Sequence, residues 1–445
     1  MATLDDRYRQ MFTKSARAYE EAKGLFPGGI THQNRYASPF PVYFTHASGG
    51  LKWDLDGHEV IDYVMGNGAL ILGHAHPQIV AAVTAQMAQG THLGGNTQFE
   101  MEWAKAIKRL VPAAETVRFT NSGTESTYLA LRLARAATGK PKIIKFSEHF
   151  HGWHEYALPD QGNSPAAAVP QAVLDLVIVL PPDLSAVEEV LASETEVSAV
   201  ILEPTGAHYG CFSMHCDTFL PALRQLTEKY GVLLIFDEVI TGFRVSPGGA
   251  QVRYGVTPDL TTFGKIVAGG MPGAAVAGKA EIMDMMAFRG DPAWDNRQRI
   301  GQGGTFNANP PTAVAGITAL NLIATEPINQ RADALAERLK AGLNTAFQRT
   351  GIPGHAYGVA SMVNPVLGVD DHCDRMYCDL TYEGRRQAMT PPRCGGLTKA
   401  MLTHGVHVMG GQVFMVSAVH TEAQIDRTID AFENALRDLR AEGIV

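Results

Sequence analysis

Five consecutive apolar residues, Val232-Leu-Leu-Ile-Phe236, run directly into Asp237 and Glu238. A strand with one wet face alternates polar and apolar residues. An unbroken apolar run is the pattern of a strand covered on both faces. Such strands lie inside parallel sheets with helices packed on each side. The neighbouring sequence agrees. From about residue 78 the chain alternates helical patterns (78–88, 104–110, 125–137, 219–230) with extended ones (116–120, 142–146, 199–204). The expected fold is therefore α/β, with a mostly parallel sheet in a large domain. Ligands of such sheets lie beyond the carboxyl ends of the strands, and Asp237 ends the most apolar of them.

The flanks read differently. Residues 1–60 combine a helical arm, closed by Pro27-Gly-Gly29, with a hairpin signalled by Gly49-Gly50 and Asp56-Gly57. Helices are expected over 313–324 and 328–348, and the tail from about 351 mixes short strands with helices up to 421–441. The division expected is an arm and hairpin (1–60) packing with the small domain, a large domain (61–320), and a smaller α+β domain (321–445). A formal charge of −8 without a basic stripe argues against nucleic acid. No apolar run reaches membrane-span length, and the polar amino terminus lacks a secretory core, so a cytoplasmic location is expected. The five cysteines (Cys211, Cys216, Cys373, Cys378, Cys394) suit reduced thiols. His208, Cys211, His215 and Cys216 crowd together but fit no zinc spacing, so no metal is expected.

Three segments carry chemistry. Lys265 follows an extended run and precedes the small residues Ala268-Gly-Gly270 and Gly273-Ala-Ala275, which leave room for a ring. A lysine has an ordinary pKa of about 10.4; desolvation and a neighbouring cation lower it and allow a Schiff base with an aldehyde cofactor. Asp237 ends a buried strand, where a carboxylate is costly unless a charged group meets it. A pyridinium N–H is one such group; a salt bridge with Arg244 is another. Glu238 then faces the opposite way, to pack or cap. Asn121-Ser-Gly-Thr-Glu125 runs from strand into helix: Gly123 admits an anion close to the backbone, Ser122 and Thr124 offer hydroxyls, and the helix start supplies N–H groups. The plainer alternative is a turn with an N-cap. Phe150, in Phe-His-Gly152, can stack on a ring or belong to the core. Thr305, in Gly303-Gly-Thr-Phe306, can add a phosphate contact or merely lead a helix.

In this order, these segments resemble the class III aminotransferases of pyridoxal phosphate fold type I. Leu202-Glu-Pro204, Phe236-Asp-Glu-Val-Ile-Thr-Gly-Phe-Arg244, Leu72-Gly-His-Ala-His-Pro77 and Ser417-Ala-Val-His-Thr-Glu422 extend the match over nearly the whole chain. The branch it is most similar to contains glutamate-1-semialdehyde 2,1-aminomutase and D-phenylglycine aminotransferase. The resemblance implies an aspartate aminotransferase-like fold and pyridoxal 5'-phosphate as cofactor. It implies Lys265 and Asp237 as catalytic residues. It implies Ser122, Gly123, Thr124, Phe150, His151, Glu203, Asp237, Val239, Lys265 and Thr305 as cofactor-binding residues. It also implies a homodimer with shared active sites, in which Thr305 reaches the neighbour's phosphate.

Amino acids and 2-oxo acids are the substrates expected from the resemblance. Pro27-Gly-Gly-Ile-Thr-His-Gln-Asn-Arg35 resembles the branch's carboxylate-binding segment, so Arg35 is the candidate for the substrate carboxylate, with Trp153 as a further substrate residue. Tyr36, Phe40, Trp153 and Phe414 lean toward an aromatic or β-amino acid. Two departures stand out. Phe150 replaces the family's usual Tyr, and Met409-Gly-Gly411 replaces the aminomutase's turn. The expected activity is amino transfer to a 2-oxo acid. Intramolecular aminomutase chemistry is the alternative within the family, and a cofactor-binding sensor or scaffold the alternative outside enzymes.

Overall fold

The computed structural model describes residues 2–160, 167–369 and 376–445. Cys373 lies outside them. The chain divides into two compact units, residues 77–329 and residues 1–76 with 330–445.

The first unit is built on a seven-stranded sheet. Its strands are β1 (Thr116–Thr120), β2 (Lys142–Phe146), β3 (Val177–Leu180), β4 (Val197–Leu202), β5 (Leu233–Glu238), β6 (Leu260–Phe263) and β7 (Ala274–Gly278). Their spatial order is β1-β7-β6-β5-β4-β2-β3. Pairs among β2 to β6 are parallel; β7 runs antiparallel to both neighbours. The sheet is thus mostly parallel, with one reversed strand. Every residue of β4 is buried, as its composition requires of a strand covered on both faces. Helix Gly123–Thr138 lies over β6 and β7, and Leu129, Leu133, Ile143, Ile201, Ile235 and Val276 form the core beneath it.

Helix Gln98–Leu110 begins six residues before the sequence reading placed it, because the Glu100 carboxylate turns back to the Thr97 N–H in a capping box. The small residues after Lys265 have a packing role as well. Ala274 and Ala275 are buried inside β7. A Cβ on Gly273 would stand 2.5 Å from Thr312 Cγ2, and one on Gly316 2.4 Å from Trp103 Nε1. Buried Trp103 donates to Val267 O at 2.9 Å. These small residues admit Trp103 and helix Pro310–Thr325 against the lysine's segment.

The second unit carries the antiparallel hairpin Phe44–Ser48 with Leu51–Asp54, next to Glu59–Asp62, which pairs in parallel with Val406–His407. That long-range pairing carries residues 61–76 into this unit. Packing of helix Pro310–Thr325 on helices Pro77–Met87 and Gln98–Leu110 keeps residues 321–329 in the other. The divisions therefore fall at 77 and 330 instead of 61 and 321. Asp62 is the polar centre of this unit. Lys52 Nζ donates to it at 2.8 Å, His74 Nε2 lies 2.7 Å away, and the N–H groups of Val64 and Met65 complete the set. His420 reaches Asp62 O at 3.1 Å. The segments around His74 and His420 thus fix this buried carboxylate and its strand.

Two expected pocket aromatics are core residues. Phe40 packs among Tyr8, Phe12 and Tyr19, and Phe414 is fully buried against Tyr63 and Phe432. Tyr36 in this unit is 63% exposed, and Trp153 in the other is 76% exposed. Burial of large apolar area draws Phe40 and Phe414 into a core that periodicity alone cannot assign.

Candidate functional site

The carboxyl ends of β4, β5 and β6, with the start of helix Gly123–Thr138, gather most of the chemistry in the first unit. Ser122 caps the helix by accepting from Glu125 N at 3.2 Å, while the Glu125 carboxylate accepts from Asn121 N at 2.8 Å. The helix start leaves its first N–H groups directed outward, a ready cradle for a phosphate. Gly123 makes the cradle possible: a Cβ there would stand 2.9 Å from Val239 Cγ2. Val239 also meets Gly264, the residue before Lys265, where a Cβ would lie 3.1 Å from Val239 Cγ1. Val239 is therefore the wedge that spaces the cradle from the lysine. Gly152, at φ 97°, presses on the same helix start, where a Cβ would be 2.6 Å from Thr124 Oγ1.

Asp237 lies next to the end of β5 and is held by three contacts. It accepts from Val239 N at 3.1 Å and Thr262 Oγ1 at 3.1 Å, and pairs with His151 Nδ1 at 2.8 Å. His151 is buried, and burial holds its proton affinity below the ordinary histidine value despite the carboxylate. Its Nε2 is buried and unpartnered. A neutral ring donating through Nδ1 fits these facts. Glu238 turns the other way, as the sequence reading held. It accepts from Thr241, Ala250 N at 2.6 Å and Gln251 Nε2 at 3.0 Å, and so caps helix Gly249–Tyr254.

Glu203, at the end of β4, joins two loops. Its Oε1 accepts from Phe150 N at 2.8 Å and from His208 N at 3.3 Å. Desolvation pushes its carboxyl up to about 7, with nearby His208 and the two N–H groups acting against the rise. Phe150, held by this bond, is 41% exposed. Lys265 is half-buried at φ 54°. Desolvation pulls its amine below the ordinary lysine range, with Arg244 adding to the effect and Asp237 and Glu203 opposing it. Its Nζ stands 5.8 Å from the Tyr209 ring centroid.

Thr305 is exposed on a loop tied to the cradle through Asn307 Oδ1, which accepts from Asn121 Nδ2 at 3.0 Å. Its carbonyl receives His92 Nε2 at 2.5 Å. Arg35 belongs to the other unit, on the short turn Gln33–Arg35, and donates to Thr31 Oγ1 at 2.7 Å. His208 pairs with Glu148 at 3.3 Å, and Cys211 and Cys216 are buried thiols. Among the described residues no three metal-ligating groups converge, and no helix is long and apolar enough to cross a membrane.

Sequence reading missed three contributors. Thr262 lies in β6 three residues before Lys265, and only the β5–β6 register brings it to Asp237. Tyr209 stands on a turn without a pattern. Lys145 was visible as a charge within Lys142-Ile-Ile-Lys-Phe146. It is fully buried, donates to Ala157 O at 2.8 Å and Pro159 O at 2.6 Å, and desolvation pulls it down to about 7. It clamps the chain after Trp153 to β2.

These groups meet the three demands of pyridoxal phosphate: a cradle for the phosphate, an anion for the ring nitrogen, and an amine for the aldehyde. The family described as class III aminotransferase matches residues 32–436. Glutamate-1-semialdehyde 2,1-aminomutase of Methanopyrus kandleri is 36% identical over 440 residues, covering 96% of this chain and 98% of its own. Among solved structures, an omega-transaminase from Sphaerobacter thermophilus is similar with a TM-score of 0.87 and 34% identity, covering 97% of this chain and 99% of its own. A beta-phenylalanine aminotransferase from Variovorax paradoxus gives a TM-score of 0.85 at 28% identity, covering 98% of this chain and 97% of its own.

Proposed function

The chain belongs to the class III aminotransferases, and from that premise we propose that it moves an amino group from an amino acid to a 2-oxo acid. Pyridoxal phosphate, when bound, supplies an electron sink for the carbanion formed at the substrate carbon. The observation that carries the reading is the desolvated Lys265 amine beside the triply anchored Asp237. Lys265 would hold the cofactor through its aldehyde, and its amine would carry a proton to and from the substrate carbon as general base and acid. Asp237, held in place by Thr262, Val239 N and His151, would keep the cofactor's ring nitrogen protonated. Phe150 would stack on the ring, and Glu203, accepting from Phe150 N, fixes that loop. Ser122, Gly123 and Thr124 would hold the phosphate.

We assign Arg35 to the substrate carboxylate by the bidentate fit of a guanidinium, and Trp153 to the substrate's side. In the homodimer proposed here, Thr305 completes the neighbour's phosphate cradle. Lys265→Ala abolishes turnover and the visible absorbance of the bound cofactor; full activity in that variant ends the proposal.

The relatives named as aminomutases favour a second reading, intramolecular amino transfer. The turn at Met409–Val413 favours the first. Gly410 and Gly411 sit at φ 58° and 66°, and a Cβ on Gly411 would stand 2.2 Å from Cys394 O, so position 411 admits no side chain without a shift of the Cys394 backbone. Product formation with an amino donor and no 2-oxo acid establishes the aminomutase; a strict requirement for the acceptor establishes the transferase.

A further inference from the structure

Lys265 and Tyr209 face one another from backbone that bulky residues rarely adopt, at φ 54° and 64°. Such conformations persist only where the surroundings impose them, and they gather at functional sites. The surroundings here are explicit. Ala207 and Phe212 exchange two backbone hydrogen bonds of 3.1 Å, Gly206 N donates to Glu203 O at 3.1 Å, and His208 N donates to Glu203 Oε1. Gly206 itself has φ 95°, and a Cβ there would stand 2.2 Å from Phe212 O. The turn cannot relax without surrendering these contacts, and its effect is to bring an aromatic ring to 5.8 Å from the lysine Nζ.

The charged groups facing Lys265 are Asp237, Glu203 and Arg244. The first two favour a proton on the amine and the third opposes it. Tyr209 is the neutral member, and a ring face within about 6 Å attracts a cation. We propose that Tyr209 is a positioning residue for Lys265, its ring face steadying the ammonium that the lysine becomes each time it carries a proton. The role rests on Lys265 as the cofactor lysine. It gives the buried amine a counterweight to desolvation that, unlike a third carboxylate, leaves no permanent charge beside the reacting carbon.

The test is competitive acetylation of the cofactor-free chain across a pH series, reading the peptide that contains Lys265 by mass spectrometry. Tyr209→Leu and Tyr209→Met should lower the midpoint of Lys265 labelling by about half to one and a half pH units, the range of a desolvated cation–π contact. Tyr209→Phe keeps the ring and should titrate like the parent. The basic-form limb of the loaded enzyme's pH profile should move in the same direction as the labelling midpoint. Unchanged midpoints in the Leu or Met variant overturn the inference, and so does a Phe variant that shifts as far as they do. Adding pyridoxal phosphate to the parent separates the two readings. If Lys265 is not protected from acetylation, its cofactor role fails, whatever the Tyr209 variants show.

Discussion

Replacing Glu203 by Gln tests the node of the site most directly. The amide oxygen retains the acceptor for Phe150 N and His208 N, so the two loops stay joined, while the ionisable group is lost. Burial raises the folded carboxyl from 4.5 to about 7. The folded chain therefore holds a proton that the unfolded chain has released across that interval. Stability from this group is highest below pH 4.5, declines as pH rises toward 7, and above that the full cost of a buried carboxylate is present. At about 1.4 kcal/mol per pH unit the interval amounts to about 3 kcal/mol. Glu203→Gln should accordingly match the parent near about pH 5 and exceed its stability by up to about 3 kcal/mol near about pH 8. Urea unfolding of both chains over that range, followed by fluorescence, measures the difference. A stability difference that stays flat with pH would refute the reasoning, because ionisation of Glu203 would then be uncoupled from folding.

Three further outcomes are expected. Gly123→Ala forces Val239 to shift and should cost about 1–3 kcal/mol of stability, with weaker pyridoxal phosphate binding by equilibrium dialysis. Gly152→Ala meets backbone as well as side chain at Thr124, 2.8 Å from its Cα, and should cost more in thermal unfolding than Gly139→Ala, which has a similar left-handed φ but nothing within 4 Å. Lys145→Met removes two hydrogen bonds together with a buried charge. Because the folded pKa of Lys145 is depressed to about 7, the parent gains stability from this group as pH rises above 7. The variant's deficit should therefore be larger at alkaline than at mildly acidic pH, and the reverse trend in denaturant midpoints would contradict the burial argument.

The sequence by itself determined the elements whose signals are local. The apolar run of β5 announced a doubly covered strand, Ser122 and Gly123 marked a helix start able to hold an anion, and Asp237 stood where a buried carboxylate needs a partner. Capping, alternation and turn chemistry act within a few residues, so they survive in a linear reading. Tertiary structure decided the contacts that depend on register and packing. Thr262 reaches Asp237 only because β6 pairs in parallel with β5. Glu203 ties Phe150 to His208 although 53 residues separate it from the first. The small residues after Lys265 make space for Trp103, and Phe40 and Phe414 lie in the core. The start of the helix at Gln98 was missed although its Thr97–Glu100 capping box is local, whereas the grouping of residues 61–76 follows from pairing with Val406–His407 across the length of the chain. Apolar burial is non-directional, so a pattern states that a residue is covered and leaves open what covers it. Lys265 shows both sides: its sequence setting marked it as a candidate, and the fold supplied the desolvation that lowers its amine and the carboxylates that oppose that shift.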